Sequence, residues 1–475
     1  MFDPQKYPVI QGGMGVGVSG PCLTKAVSLS GGIGTVSLTA APHLLADALK
    51  KGDLKGDYRR ALKHFPFPEI AKRVLDEYFV QGGIRPGQKT RTVPMFNLKP
   101  SRRLLELTLC ASFALVWLSK EGHTNPVFVN LLEKIQLPHI FSLFGAMLAG
   151  VDGVVVGAGI PVSFSRVIDS ILEGNEVVYP VYVTDSKEKT FVRFNPKEFF
   201  AGMDIPKMER PAFLPIVSSS ELGRYLSKKA GRVDGLIIEL PTAGGHNAPP
   251  RGKEKRFDVK ENILYDPEGE DKVDFEKLKA LGLPFWIGGS FSSPEKLREA
   301  LDLGACGIQV GSLFALCDES GIKPGHKMSL ISKSLNGDLE ILTSSTASPT
   351  GFPFKVALLD GSLSDPEVYS ARKRVCNMGY LRETCVGAGG ELVYRCPAEP
   401  VDNYVRKGGK VEDTVGRICL CNGLSAAVGV GGDCEPPIFT LGDIAKNANI
   451  LRSIINPGKV SYSASDVMEY LLKPC

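Results

Sequence analysis

The chain has 475 residues, 43% of them hydrophobic and 23% charged, the make-up of a globular protein with a large core. Its 56 basic and 52 acidic residues leave a net charge of +4, with no long basic run, which excludes nucleic acid and membrane surfaces as expected partners. The length allows two or three domains, or one α/β barrel of about 250 residues with additions. No secretion signal fits the N-terminus. The most apolar stretches, 104–118 and 142–161, are interrupted by Glu106 and Asp152 and read as buried core. Eleven cysteines in such a chain read as reduced thiols, so the expected location is cytoplasmic.

Pro8-Val-Ile-Gln-Gly-Gly-Met-Gly15 is a short apolar strand that runs into glycines. Gly15-Val-Gly-Val-Ser-Gly20 matches G-x-G-x-x-G, but 35–46 holds no acidic residue for a ribose, so a dinucleotide fold is disfavoured. A helical pattern over 21–30 and a second strand over 31–38 complete a βαβ unit. Residues 43–80 are mainly helical. In 82–123 the pattern suggests an extra strand at 91–98, a helix at 101–109 and either state at 113–118, and the stretch reads as an insertion before the third barrel strand. Strand three is 126–132, with Asn130 near its C-terminal end. A helix over 133–150 is broken or kinked by Pro138. Strand four, 152–160, is apolar almost throughout, as expected for a parallel sheet covered on both faces. A helix spans 162–172, and the polar connection 176–212 has no clear pattern. Strand five is 213–219, followed by a helix over 220–229.

Strand six, 233–240, leads into Glu239-Leu-Pro-Thr-Ala-Gly-Gly-His-Asn247. Gly244 and Gly245 let backbone approach a ligand, and His246 presents one of the six imidazoles, a group that moves protons near neutral pH. A charged loop, 251–274, and a helix over 275–281 precede strand seven, 284–290. A helix over 293–303 precedes strand eight, 305–312. Eight short apolar strands alternating with helices point to a (β/α)8 TIM barrel over 1–325, whose chemistry belongs at the strand C-terminal ends. Gly288, Gly289 and Ser290, with Gly311 and Ser312, end strands seven and eight, where barrels bind phosphate through loop amides. Residues 326–475 are expected to form a mostly helical, Cys-containing region packed on the barrel.

The ordered series Ile-Gln-Gly-Gly-Met-Gly, Gly-Gly-Ile-Gly-Thr, Val-Asn-Leu, Ala-Gly-Gly-His, Gly-Gly-Ser and Gln-Val-Gly-Ser-Leu-Phe, spread over residues 8 to about 320, resembles the nitronate monooxygenase (2-nitropropane dioxygenase-like) family. That family includes flavin-dependent enoyl reductases. The resemblance implies a TIM barrel holding FMN. Gly12, Gly13 and Met14 would border the isoalloxazine ring, Asn130 would hydrogen-bond it, and Gly288, Gly289, Gly311 and Ser312 would cradle the phosphate, with Gly244, Gly245 and Ser290 completing the cofactor set. His246 matches the family's active-site histidine, and no metal ligand is expected. Ser312 stands where threonine is usual. Asn247-Ala-Pro-Pro250 departs from the glycine that many relatives carry two residues after the histidine. Tyr394-Arg-Cys-Pro-Ala-Glu-Pro400 and Cys419-Leu-Cys-Asn-Gly423 resemble a longer branch of the family.

The implied activity is oxidation of alkyl nitronates by O2, the substrate passing one electron to the flavin. A neutral nitroalkane would need His246 as base, whereas a nitronate would need it as cation or donor. The alternatives are an FMN- and NAD(P)H-dependent enoyl-thioester reductase acting in trans with a fatty-acid or polyketide synthase and its acyl carrier, and a non-catalytic flavin-binding module. Cys376, Cys396, Cys419 and Cys421 read as buried thiols in preference to a metal set, because no C-x-x-C pair occurs. His123 and His139 read as structural or surface groups, and Trp117 and Trp286 as core.

Overall fold

The computed structural model describes residues 3–474 apart from 86, 89, 253, 388 and 432–433. Eight strands form its centre: β1 (Val9–Gln11), β2 (Gly34–Ser37), β3 (Val127–Leu132), β4 (Gly153–Gly157), β5 (Ala212–Val217), β6 (Leu236–Glu239), β7 (Phe285–Gly288) and β8 (Gly307–Val310). They are hydrogen-bonded in chain order from β2 to β8, and β8 pairs with β1. Every pairing is parallel. The seam between β1 and β2 closes through an Ile10–Ile33 bridge, in which the Gln11 amide donates to the Ile33 carbonyl at 2.9 Å. The expected (β/α)8 barrel is therefore the fold.

Side chains along each strand alternate between two cores. Ile10, Phe128, Val155, Leu214, Ile237 and Trp286 meet inside the barrel. Val9, Val129, Val154, Phe213, Ile238 and Ile287 face outward into the helical layer. Trp286 is fully buried and donates its indole N–H to the Tyr7 carbonyl at 3.0 Å, so it fills core as expected. Gly153 is needed at the barrel floor, because a Cβ there would lie 2.4 Å from the Phe128 ring.

The stretch before β3 differs in detail from the sequence pattern. Residues 91–98 are irregular, and 102–120 is one helix, Arg102–Lys120, capped by the Ser101 hydroxyl. That helix packs against His139–Leu148 and Ala41–Lys50 as part of the barrel's outer layer. It is buried almost all round, from Leu104 to Ser119, so it lacks the polar stripe by which a surface helix is recognised. The 176–212 connection contains an antiparallel pair, Val177–Val181 with Thr190–Phe194. Residues 326–475 carry helices, the longest of them Pro324–Asn336, and two hairpins, Ile341–Ser344 with Phe354–Ala357 and Glu383–Val386 with Leu392–Arg395. Among the described residues no helix is long and apolar enough to cross a membrane.

Candidate active site

Two residues beyond the inner apolar layer, seven of the eight strands, all but β2, present their next inward position at the C-terminal end of the barrel. Those positions are Gly12, Asn130, Gly157, Ile216, Glu239 and Gly288, and all line one cavity together with Gln309 of β8. The period of two that builds the core thus also selects the floor of the site. All twelve residues singled out from the sequence reach this cavity: Gly12, Gly13, Met14, Asn130, Gly244, Gly245, His246, Gly288, Gly289, Ser290, Gly311 and Ser312.

The loop after β1 is held from below by Gln11. Its side-chain amide donates to the Ser19 hydroxyl at 2.7 Å and to the Gly12 carbonyl, and its carbonyl oxygen accepts from the Thr35 amide at 2.9 Å. Ser19 Oγ in turn accepts from the Met14 amide at 2.8 Å. Gly13 lies against Asn130 so closely that a Cβ would sit 2.1 Å from Asn130 Cβ. Glycine is required there to let the loop reach the cavity floor.

The ends of β7 and β8 lie side by side, with Gly288 opposite Gln309. Gly289 has φ +96° and Ser290 φ +57°, left-handed conformations that turn backbone toward the cavity. Gly311 precedes the short helix Ser312–Ala315. The Ser312 hydroxyl accepts from the Gly442 amide at 2.7 Å, which ties this cavity residue to the C-terminal region. Gln309 Nε2 and Thr39 Oγ1 are buried with no hydrogen-bond partner. Both residues line the cavity. Buried polar groups of this kind destabilise a protein unless a ligand or water completes them.

His246 sits on the loop after β6. Its Nε2 is 2.7 Å from Ser348 Oγ, and its ring packs edge-on against Phe354 with centroids 4.9 Å apart. Burial, and secondarily the Lys134 charge, push its pKa down to about 3. In the ligand-free protein the imidazole is therefore held neutral, with one ring nitrogen a donor and the other an acceptor. Lys134, just past β3, has its amine 3.5 Å from the centre of the Phe352 ring. Burial brings it down to about 7, opposed by the Glu239 charge. Burial likewise raises Glu239 to about 7, opposed by Lys134.

The C-terminal region supplies the opposite wall, with Tyr380, Leu381, Leu420, Cys421, Ile438 and Phe439 among the lining residues. It also fixes the histidine loop. The Gly245 amide donates to Thr440 Oγ1 at 2.7 Å, the Lys355 amide to the Gly245 carbonyl at 2.9 Å, and the Asn247 amide to the Pro353 carbonyl at 3.0 Å. Sequence reading missed Ser348, Thr440, Gln309 and Lys134 as site residues. Gln309 carried a signal, being two positions past the strand-eight core. Ser348 and Thr440 are joined to the site only by contacts spanning a hundred or more residues, whereas Lys134 lies just past β3, between the cavity residues Leu132 and Ile135. His139 is structural, as expected: its Nε2 is 2.8 Å from the Leu132 carbonyl, and burial lowers its pKa to about 4. His123 likewise contacts the Ser119 carbonyl at 2.7 Å. Trp117 stacks on His64 at 4.6 Å. Among the described residues no group of three or more His, Cys, Asp or Glu is arranged to hold a metal ion.

A family model for nitronate monooxygenase matches residues 207–348. A probable nitronate monooxygenase of Bacillus subtilis (strain 168) is 28% identical over 121 residues, which is 24% of this chain and 31% of that protein. The match thus spans about a third of the relative's length. Among solved structures, FabK from Thermotoga maritima is 15% identical, with 98% of this chain and 92% of that one covered and a TM-score of 0.49. Nitroalkane oxidase from Streptomyces ansochromogenes is 16% identical, with 98% and 94% covered and a TM-score of 0.45. The enoyl reductase domain of MlnA from the macrolactin biosynthesis cluster of Bacillus amyloliquefaciens is 12% identical, with 98% and 93% covered and a TM-score of 0.47. The matched segment runs from just before β5, through β6, His246, β7 and β8, to Ser348, the hydrogen-bond partner of His246. That segment, which holds the histidine loop and both glycine-rich strand ends, is the part of the chain that is similar to the nitronate monooxygenase family.

Proposed function

We propose that the chain is an FMN-dependent oxidoreductase of the nitronate monooxygenase type, taking an alkyl nitronate and O2 as substrates. The observation that carries this reading is the convergence of His246, the Gly12–Met14 loop and the ends of β7 and β8 on one cavity. The backbones of Gly288, Gly289, Ser290, Gly311 and Ser312 would hold the phosphate, and a ring bordered by Gly12, Gly13, Met14 and Asn130 would give Gln309 Nε2 and Thr39 Oγ1 the partners they lack. Gly244 and Gly245 would let the histidine loop close over the same ligand. FMN, when bound, supplies one-electron oxidation of the substrate and delivery of that electron to oxygen.

The chain's own residues would position the substrate. Neutral His246 presents one lone pair and one N–H. A nitronate is already deprotonated and needs no base; with the Ser348 hydroxyl donating to Nε2, Nδ1–H can bind a nitro oxygen. Leu381, Leu420, Leu424, Ile438 and Phe439 present an apolar wall suited to an alkyl chain.

One observation favours keeping the NAD(P)H-dependent enoyl-thioester reductase as a second reading. A neighbouring cleft shares Ala158, Tyr380 and Leu381 with the first cavity; it is lined by Lys134, Arg382, Arg395 and Arg417 together with Glu133, Glu383 and Asp413, and with Arg395 paired to Glu383 at 2.6 Å it is Arg382 and Arg417 that would meet a long phosphate-bearing partner such as a nicotinamide nucleotide or an acyl carrier. The experiment is a paired assay on the flavin-loaded protein. Oxygen uptake on adding propyl-2-nitronate supports the first reading. Bleaching by NADPH with reoxidation by an enoyl thioester, and no nitronate-dependent oxygen uptake, replaces it with the second. A protein whose spectrum never shows bound flavin refutes both.

A further inference from the structure

Four thiols gather at the C-terminal wall of the cavity. Cys396 and Cys419 pack together with Ala398, and Cys421 packs against them. Cys376 is close enough to Cys421 and Cys396 for their charges to interact. All four are free, and Cys421 lines the same cavity as His246.

The four are not equivalent. Cys419 occupies the N-cap position of the helix Leu420–Ala427, where its side chain makes no capping hydrogen bond, and Cys421 stands at that helix's second position, where first-turn amides favour a thiolate. The neighbouring Cys419 thiol, then the peptide amides of Leu381 and Tyr380, hold Cys421 below the usual thiol range against the effect of burial. Cys419 is pushed the other way, chiefly by the same contact. Burial raises Cys376 to about 11 and Cys396 well above its ordinary value. Cys421 packs against the cluster that holds Cys419, and, two residues apart, their Cα atoms are no more than about 7 Å from each other, at the upper end of what a disulfide spans.

We infer that Cys419 and Cys421 form a thiol–disulfide exchange site opening on the cavity, with Cys421 the attacking sulfur, Cys419 the resolving one, and a small disulfide such as oxidised glutathione the partner. The Cys421 thiolate attacks one sulfur of the small disulfide. That S–S bond breaks, a mixed disulfide forms, and one small thiolate leaves. Cys419 then gives its proton to a departing thiolate and attacks the Cys421 sulfur, releasing the second small thiol. Two protein thiols are oxidised to a disulfide and one small disulfide is reduced to two thiols. The new bridge spans Leu420, itself a cavity residue, so oxidation reaches the cavity wall. None of these steps depends on the flavin reading.

The test is peptide mapping of the purified full-length chain. In brief alkylation at pH 7, Cys421 should react at least about tenfold faster than Cys376, because a thiol near 11 is ionised to only about one part in ten thousand there. With oxidised glutathione, the parent should lose two hydrogens and yield a linked 419–421 peptide. Cys419→Ser should hold a stable glutathione adduct on Cys421, and Cys421→Ser should leave Cys419 reduced. The idea is overturned if Cys421 alkylates no faster than Cys376, if the parent forms no 419–421 link, or if the protein carries about one zinc or iron per chain that either substitution removes. The parent measurements need no variant, so a substitution that impairs folding leaves the test intact.

Discussion

Substituting Gly311→Ala separates the needs of the fold from those of a ligand. Gly311 has φ −108° and ψ −69°, which any L-residue can adopt. The nearest heavy atom to a Cβ there is the Met14 sulfur at 3.7 Å, an ordinary contact. The protein therefore gives alanine room, and the loss of unfolded-chain entropy should stabilise the variant by about 0.4–1 kcal/mol. If the β8 end carries the FMN phosphate, however, the methyl occupies space the phosphate needs. Overpacking of that kind costs about 1–3 kcal/mol, or roughly 5- to 150-fold in affinity. The assay is a titration of the flavin-free protein with FMN, read by quenching of flavin fluorescence, beside a thermal melt without flavin. Unchanged or higher melting temperature with weaker FMN binding is expected. Equal affinity for parent and variant refutes the placement of the phosphate at Gly311.

Gly13→Ala should behave differently, since its Cβ would collide with Asn130 Cβ at 2.1 Å: both melting temperature and flavin affinity should fall, and a variant that melts with the parent contradicts the close approach. Ser348→Ala removes the hydrogen bond that orients His246, a loss of about 0.5–1.5 kcal/mol, and should lower kcat while leaving FMN affinity within about twofold; loss of flavin instead would place Ser348 in cofactor binding. Glu239→Gln tests the buried carboxyl by pH. Its folded pKa is raised to about 7 from an ordinary 4.5, so its contribution to stability is present below about 4.5 and lost as pH rises through 7. The variant should melt above the parent at pH 8 and draw level by pH 5, and a pH-independent difference would show that Glu239 is not desolvated. Gly153→Ala should lower the melting temperature through the Phe128 contact and leave flavin affinity unaltered, read by the same two assays.

Legibility in the sequence followed contact range. β3 to β8 were readable because strands covered on both faces are continuous apolar runs, and their glycine-rich ends mark where backbone must turn toward a ligand. Arg102–Lys120 was split because near-total burial erases the period of a helix. The hairpin at Val177–Val181 was hidden in a polar stretch, since only alternate residues are buried. The far wall was not readable at all. Ser348 lies in Ser344-Ser-Thr-Ala-Ser-Pro-Thr-Gly351, a stretch of turn-forming residues, and nothing local says that its hydroxyl meets an imidazole 102 residues earlier. Thr440 is likewise 195 residues from the Gly245 amide it accepts from.

The same limit applies to protonation. From sequence, His246 is the natural group to exchange a proton near neutral pH, because an unperturbed imidazole titrates there. Burial in the fold moves it to about 3 and brings Glu239 and Lys134, two groups with ordinary values near 4.5 and 10.5, together at about 7. Each feels the other's charge, which opposes the effect of burial. Any rate change between pH 6 and 8 should therefore follow the Glu239–Lys134 pair. His246 stays neutral throughout, available as an acceptor or a donor according to which way the Ser348 hydroxyl points. A rate profile whose limb near pH 7 survives Glu239→Gln and Lys134→Met, and disappears in His246→Asn, would reverse that assignment.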